Sequence, residues 1–189
     1  MDKVEWQVFN LQRTNDRQHM IIGISGQMRA GKSTFARHLS KALPNSVIDS
    51  LASPIKELAH GITAPRNGND AEDKEKIRPL YQAIGETMKQ LYGRNYWLNM
   101  MEFKHKRRIV SKTEHVIIDD LRFPFEAEFI TKMGGYVIKI TRENNIETPA
   151  SQHVSEIMVP QIVANQNIYN DGTMDKLIEA AQGVAKAII

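Results

Sequence analysis

The chain predicts an α/β fold built on a parallel sheet, and three observations carry that reading. Short apolar runs of strand length recur at 20–25 ("MIIGIS"), 45–49 ("NSVID"), 116–119 ("VIID") and 136–142 ("YVIKITR"). Segments with helical periodicity lie between them. Strands that alternate with helices in this way pair in parallel through right-handed crossovers. Third, the first strand runs straight into the octapeptide "GQMRAGKS" (26–33), and a helical segment follows at once.

Each element has its own signal. Ile21, Ile22 and Ile24 make 20–25 a buried strand, too short for a helix of its own. "STFARHLSKAL" (33–43) places Phe35, Ala36, Leu39, Ala42 and Leu43 at helical spacing. "NSVID" (45–49) is a second strand, and "SPIKELAHGI" (53–62) a helix with Ser53 as N-cap and Pro54 at its first position. "TAPRNGNDAEDKEK" (63–76), polar and rich in Gly, Asn and charge, reads as a mobile loop. "IRPLYQAIGETMKQLYG" (77–93) is a helix with an apolar face through Leu80, Ile84, Met88 and Leu91, ended by Gly93. "NYWLNMMEFKHKRRI" (95–109) is another amphipathic helix, whose closing "KHKRR" complements a helix C-terminus. After "VIID", Pro124 opens a helix that Gly134 and Gly135 end, and "YVIKITR" returns to the sheet. Residues 143–159 are polar and irregular; 166–189 give a strand, a turn at Asn170–Gly172 and a last helix. Residues 1–19 precede the first strand as a leader: an arm, an extra strand or a disordered tail.

Composition excludes several classes. A chain of 189 residues suits one domain with a small lid. With 25 basic and 22 acidic residues the net charge is only +3, no footprint for stable nucleic-acid binding. Cysteine is absent, so disulfides, thiol nucleophiles and Cys-type zinc sites are excluded. No apolar run reaches the roughly 18 residues of a membrane span, and the N-terminus has no secretory apolar core; a cytoplasmic location is the default expectation.

"GQMRAGKS" fits G-x-x-x-x-G-K-[ST], a loop built to hold phosphates. Gly26 and Gly31 let the backbone take positive φ and approach an anion closely. Successive N–H groups then face one concavity, and the following helix adds its free N-terminal N–H groups. Lys32 can reach the β- and γ-phosphates of ATP, and the Ser33 hydroxyl can bind Mg²⁺. Gly26, Gln27, Ala30, Gly31, Lys32, Ser33 and Thr34 are therefore the candidate nucleotide-binding residues. Arg29 lies where a second cation could reach a transferring phosphoryl group.

Such a loop serves ATPases, GTPases, helicases and small-molecule kinases alike. The discriminating residues lie elsewhere. "VIIDD" ends a strand on Asp119 and Asp120, at the edge where α/β sheets bind ligands. Adjacent side chains of a strand diverge, so only one of the two should face a metal. Asp120 is favoured, because Arg122 lies two residues on and on the same side, where its fork could grip a phosphate. No Asn-Lys-x-Asp base-recognition element of the GTPase kind is present. The polar segment 143–156, rooted at Arg142, suits a lid that excludes water, and 50–97 is a helical insertion of a size to bind an acceptor.

"VIIDDLRFPFEAEFITKMGGYVIKITR", followed by "QHVSE" (152–156), resembles the deoxynucleoside monophosphate kinases of bacteriophages and prophages. The shared pattern is Asp-x-Arg, then "FP-x-E-A-E", Gly-Gly, a strand ending near Arg, and a His-x-Ser-Glu element. "IRPLYQAIGETMKQLYGRNYW" also matches the family layout, and coverage is roughly residues 20–180. The resemblance implies a three-layer α/β/α P-loop kinase fold, ATP and Mg²⁺ as cofactors, and a deoxynucleoside monophosphate as acceptor. It further implies a homodimer, in the host cytoplasm if the chain is phage-encoded. By position, Lys32 with Arg29 would stabilise the transferred phosphoryl group. Ser33 and Asp120 would hold Mg²⁺, Arg78 and Arg122 the acceptor phosphate, and Arg142 would be the lid arginine. Gln82, Trp97 and Glu156 are further candidates for the acceptor pocket, Trp97 equally for core packing, and His153 for capping a lid turn. Many members carry Asp where this chain has Ser33. Two alternatives stay open: a kinase of another small phosphorylated acceptor, such as phosphomevalonate, and a non-catalytic nucleotide-dependent switch.

Overall fold

The computed structural model describes residues 20–63, 71–110, 114–143 and 154–188. The leader 1–19, residues 64–70 of the expected loop, and residues 144–153 of the expected lid, His153 among them, lie outside the described residues.

Five parallel strands form one sheet in the order β2-β3-β1-β4-β5. They are β1 (Ile21–Gly26), β2 (Ser46–Asp49), β3 (His115–Leu121), β4 (Tyr136–Thr141) and β5 (Gln166–Tyr169). The central strand β1 is buried at all six positions, as its unbroken apolar run requires of a strand covered on both faces. The chain leaves β1 towards β2 on one side and later returns to β4 on the other. The loop after β1 therefore sits where the strand order reverses, the place at which open α/β sheets bind ligands.

Strand periodicity divides the core. One face carries Ile22, Ile24, Ile117, Ile138 and Ile140 against α1 (Lys32–Ala42) and α7 (Met174–Ile188), through Phe35, Leu39, Leu177 and Ala181. The other carries Ile21, Val116, Ile118 and Val137 against α4 (Tyr96–Val110) and α5 (Pro124–Lys132), through Leu98, Met101, Ala127 and Ile130. The result is a three-layer α/β/α sandwich. Between β2 and β3 the chain also forms α2 (Ser53–Thr63) and α3 (Ala71–Tyr92), and α6 (Val154–Met158) follows β4.

One boundary moved. The helix expected from Ile77 begins at Ala71, with Pro79 inside it. Ala71, Glu72, Lys74, Glu75 and Lys76 are good helix formers that charge and the nearby Asn-Gly made look like loop, and the helix continues through Pro79, its ninth residue.

Candidate active site

The loop between β1 and α1 has the geometry that its glycines predict. Gly31 has φ 100°, and a Cβ there would meet Asn170 Nδ2 at 2.5 Å. Asn170, at the end of β5, donates from that amide to Ala30 O at 2.9 Å and so buttresses the loop from outside it. Arg29 also takes a left-handed conformation, with φ 63°, and its side chain is exposed. The first turn of α1 contains no acidic residue, so its free N–H groups keep their positive end open to an anion.

Lys32 lies between this loop and the end of the sheet. Its ammonium donates to Gly26 O and Gln27 O, both at 2.8 Å. Burial, then the Arg122 guanidinium, lowers its pKa to about 8, while Glu156, Asp119 and Asp120 pull the other way. A cleft of about 410 Å³ opens beside it, lined by Arg29, Gly31, Lys32, Ser33 and Thr34 from the loop and by Arg142 from the end of β4. Asn170, Gly172, Met174 and Leu177 complete that wall. The structure therefore brings Arg142 to the same cleft as the phosphate loop.

A second cleft, of about 630 Å³, lies at the ends of β2 and β3. It is lined by Asp49, Ser50, Ser53, Lys56, Glu57, His60 and Asp119. Asp120, expected at the metal, is engaged by backbone here. The β1–β3 register shifts between Ile118 and Leu121, which lie in the same core cluster, so simple alternation does not assign the two aspartates and their partners do. The Asp120 carboxylate accepts from Leu51 N at 2.7 Å and Ala52 N at 3.2 Å, tying β3 to the turn that leads into α2. Burial pushes its pKa up against those two bonds. Nor does Arg122 join Asp120; its Nη1 donates to Glu156 Oε1.

The remaining expected residues divide. Glu156 is buried and also accepts from Met28 N, inside the phosphate loop, at 2.7 Å. Trp97 is 5% exposed, and its indole N–H donates to Gly85 O at 3.1 Å, which locks α4 to α3. That is the packing alternative. Gln82 is exposed on α3. Arg78 lies on the same helix, but its side chain is outside the described residues.

Sequence reasoning missed Asp49. It ends β2 as Asp119 ends the apolar part of β3, and "VID" against "IID" was the available signal. His105, fully buried on α4, approaches Asp49 Oδ2 at 2.7 Å through Nε2, and Lys104 Nζ approaches the same oxygen at 3.1 Å. Burial raises the Asp49 pKa, but these partners and the Ser50 N–H outweigh it and hold the carboxyl well below its usual range. Among the described residues, His105 Nδ1 is buried without a partner, which places the ring proton on Nε2, the cheaper arrangement.

Comparison with known proteins bears on the whole arrangement. The deoxynucleotide monophosphate kinase family matches residues 62–180, a range that holds Asp119, Arg122, Arg142 and Glu156 and excludes the phosphate loop. A "putative deoxynucleotide monophosphate kinase" of Acanthamoeba polyphaga mimivirus is 31% identical over 143 residues, 65% of this chain and 74% of that one. Among solved structures, a sugar kinase from Janibacter sp. HTCC2649 matches with a TM-score of 0.50 at 12% identity, over 87% of this chain and 93% of the other. Dephospho-CoA kinase from Campylobacter jejuni matches with a TM-score of 0.49 at 16% identity, over 92% and 98%. At 12% identity the sugar kinase reports on fold alone. The family match spans well over half of the chain and takes in the strand-end acid, the arginine and the buried glutamate just described: the chain belongs to the deoxynucleotide monophosphate kinase family.

Proposed function

We propose that the protein transfers the γ-phosphoryl group of ATP to the phosphate of a deoxynucleoside monophosphate, releasing ADP and the deoxynucleoside diphosphate. The observation that carries the reading is the pair of clefts at one sheet edge. One is walled by the phosphate loop and the other reaches Asp119, and Lys32 is electrostatically coupled to Arg122 and Asp119. ATP takes the first cleft, with its phosphates on the loop N–H groups and Lys32. The acceptor takes the second, with α2 and α3 as its binding insertion (about 50–97) and Arg122 on its phosphate.

No general base is needed. The acceptor oxygen is already ionised, so positioning and charge stabilisation suffice. The donor set fits Mg²⁺: the exposed Ser33 hydroxyl and the half-buried Asp119 carboxylate are hard oxygen ligands, and phosphate oxygens and water complete such a site. Asp119 takes this role because Asp120 is committed to two backbone N–H groups. The ion, when bound, offsets charge on the phosphates.

Arg122→Lys tests the assignment of the two clefts. A lysine keeps the charge but loses the planar fork. Acceptor KM should rise and kcat fall, by about 1.5–3 kcal/mol or roughly ten- to hundredfold in kcat/KM, while ATP affinity without acceptor changes little. Loss of ATP binding with acceptor affinity kept would show the two clefts assigned the wrong way round.

A further inference from the structure

Glu156 has a place that its expected role in an acceptor pocket does not explain. The Glu156 side chain is a buried carboxylate, 1% exposed. One of its oxygens accepts from Met28 N at 2.7 Å, and the other accepts from Arg122 Nη1. Met28 is the third residue of the phosphate loop, and Arg122 is the arginine assigned to phosphate. Both donors suit a phosphate oxygen as well as they suit a carboxylate oxygen. Lys32 meanwhile is occupied by the loop's own carbonyls, Gly26 O and Gln27 O. The phosphate-binding donors are thus satisfied internally, partly by a side chain 128 residues away in sequence.

We infer that Glu156 is a positioning residue that holds Met28 N–H and Arg122 in place of phosphate oxygens, yielding Met28 N–H to an entering polyphosphate and so freeing Arg122 for the acceptor phosphate. The inference rests on the phosphate-loop reading above. Its chemistry is exchange of one anion for another on the same donors, with no bond made or broken covalently. Glu156 belongs to α6 (Val154–Met158), so its release also loosens that helix. A buried carboxylate left in place would repel the incoming anion, so exchange and release are coupled. Arg122, kept aligned by Glu156 until then, is delivered to the phosphate in a single orientation.

Calorimetric titration with inorganic tripolyphosphate, on wild type and Glu156→Gln, tests this. Glutamine keeps the shape and an oxygen acceptor for Met28 N but removes the competing charge. Tripolyphosphate should bind the variant at least fivefold more tightly. In turnover assays the variant should show a lower KM for ATP together with a lower kcat, because Arg122 loses the group that aligns it. A purely structural glutamate would instead give lower thermal stability with unchanged or weaker binding, and that result overturns the inference. Should the variant fail to fold, hydrogen exchange on the wild type decides. Tripolyphosphate alone should speed exchange in residues 154–158, and unchanged or slower exchange there overturns it. If tripolyphosphate binds neither protein, the phosphate-loop reading falls as well; unchanged affinity in the variant removes Glu156 alone.

Discussion

The two neighbouring aspartates at the end of β3 should respond in opposite ways to the same isosteric change. Asp120→Asn keeps the volume but offers one oxygen where two were used. One of Leu51 N and Ala52 N, now at 2.7 and 3.2 Å from the carboxylate, would face an NH₂ group instead. Losing a hydrogen bond to a charged group and orphaning a buried N–H costs about 1.5–3 kcal/mol. Burial already disfavours the Asp120 charge, so removing it returns part of that cost. The net loss should be about 1–2 kcal/mol, or about 0.5–1 M in the urea midpoint for a slope of about 2 kcal/mol/M. Asp119→Asn should move stability by no more than about 0.5 kcal/mol, since the side chain is half-buried at a cleft. Its turnover, read by coupled ADP release, should fall about a hundredfold or more, the scale of removing one group that stabilises transition-state charge. An Asp120→Asn protein of unchanged stability and lost turnover, beside an Asp119→Asn protein that turns over normally, would refute this division of roles.

The lowered pKa of Lys32 carries a pH dependence. Its ammonium is lost from the free protein as pH rises through about 8, so the ATP Kd should be flat below that point and rise about tenfold per unit above it, as a pH series of titrations would show. Gly31→Ala should lower the melting temperature by about 3–10 °C and weaken ATP binding, because φ is 100° and the new Cβ would strike Asn170; a wild-type melting curve would remove the close approach from the argument. Glu126 accepts from Arg122 N and Phe123 N on one oxygen, yet burial raises its pKa to about 7. Between pH 4.5 and 7 the folded state then binds more protons than the unfolded one, so stability should fall as pH rises across that window, by up to about 3 kcal/mol. Glu126→Gln, which keeps the oxygen, should flatten that slope, and an unchanged slope by urea unfolding would place the titration elsewhere.

Local signals fixed the elements that local physics decides. The run "MIIGIS", the glycine spacing and the helical periodicity of 33–43 together specify β1, the loop and α1, and the structure has them there. The strand ending in Asp119–Asp120 was equally plain. Which aspartate is tied to backbone was not, because that depends on where the turn leading into α2 lies. Contacts distant in sequence were hidden for the same reason. Nothing near Glu156 points to Met28, nothing near His105 points to Asp49, and Asn170 reveals its support of Ala30 only when β5 lies at the sheet edge. Trp97 shows the limit of residue type as a guide: an aromatic near an expected acceptor region turned out to seal α3 against α4.

The most direct measurement supplies ATP and Mg²⁺ with dAMP, dCMP, dGMP or dTMP in turn and separates the nucleotides by chromatography. At least one monophosphate should be converted to its diphosphate, with one ADP formed for each, and Lys32→Ala, still folded, should lose that conversion. ADP formed at the same rate with and without every monophosphate, and no deoxynucleoside diphosphate from any of them, would contradict phosphoryl transfer to this class of acceptor.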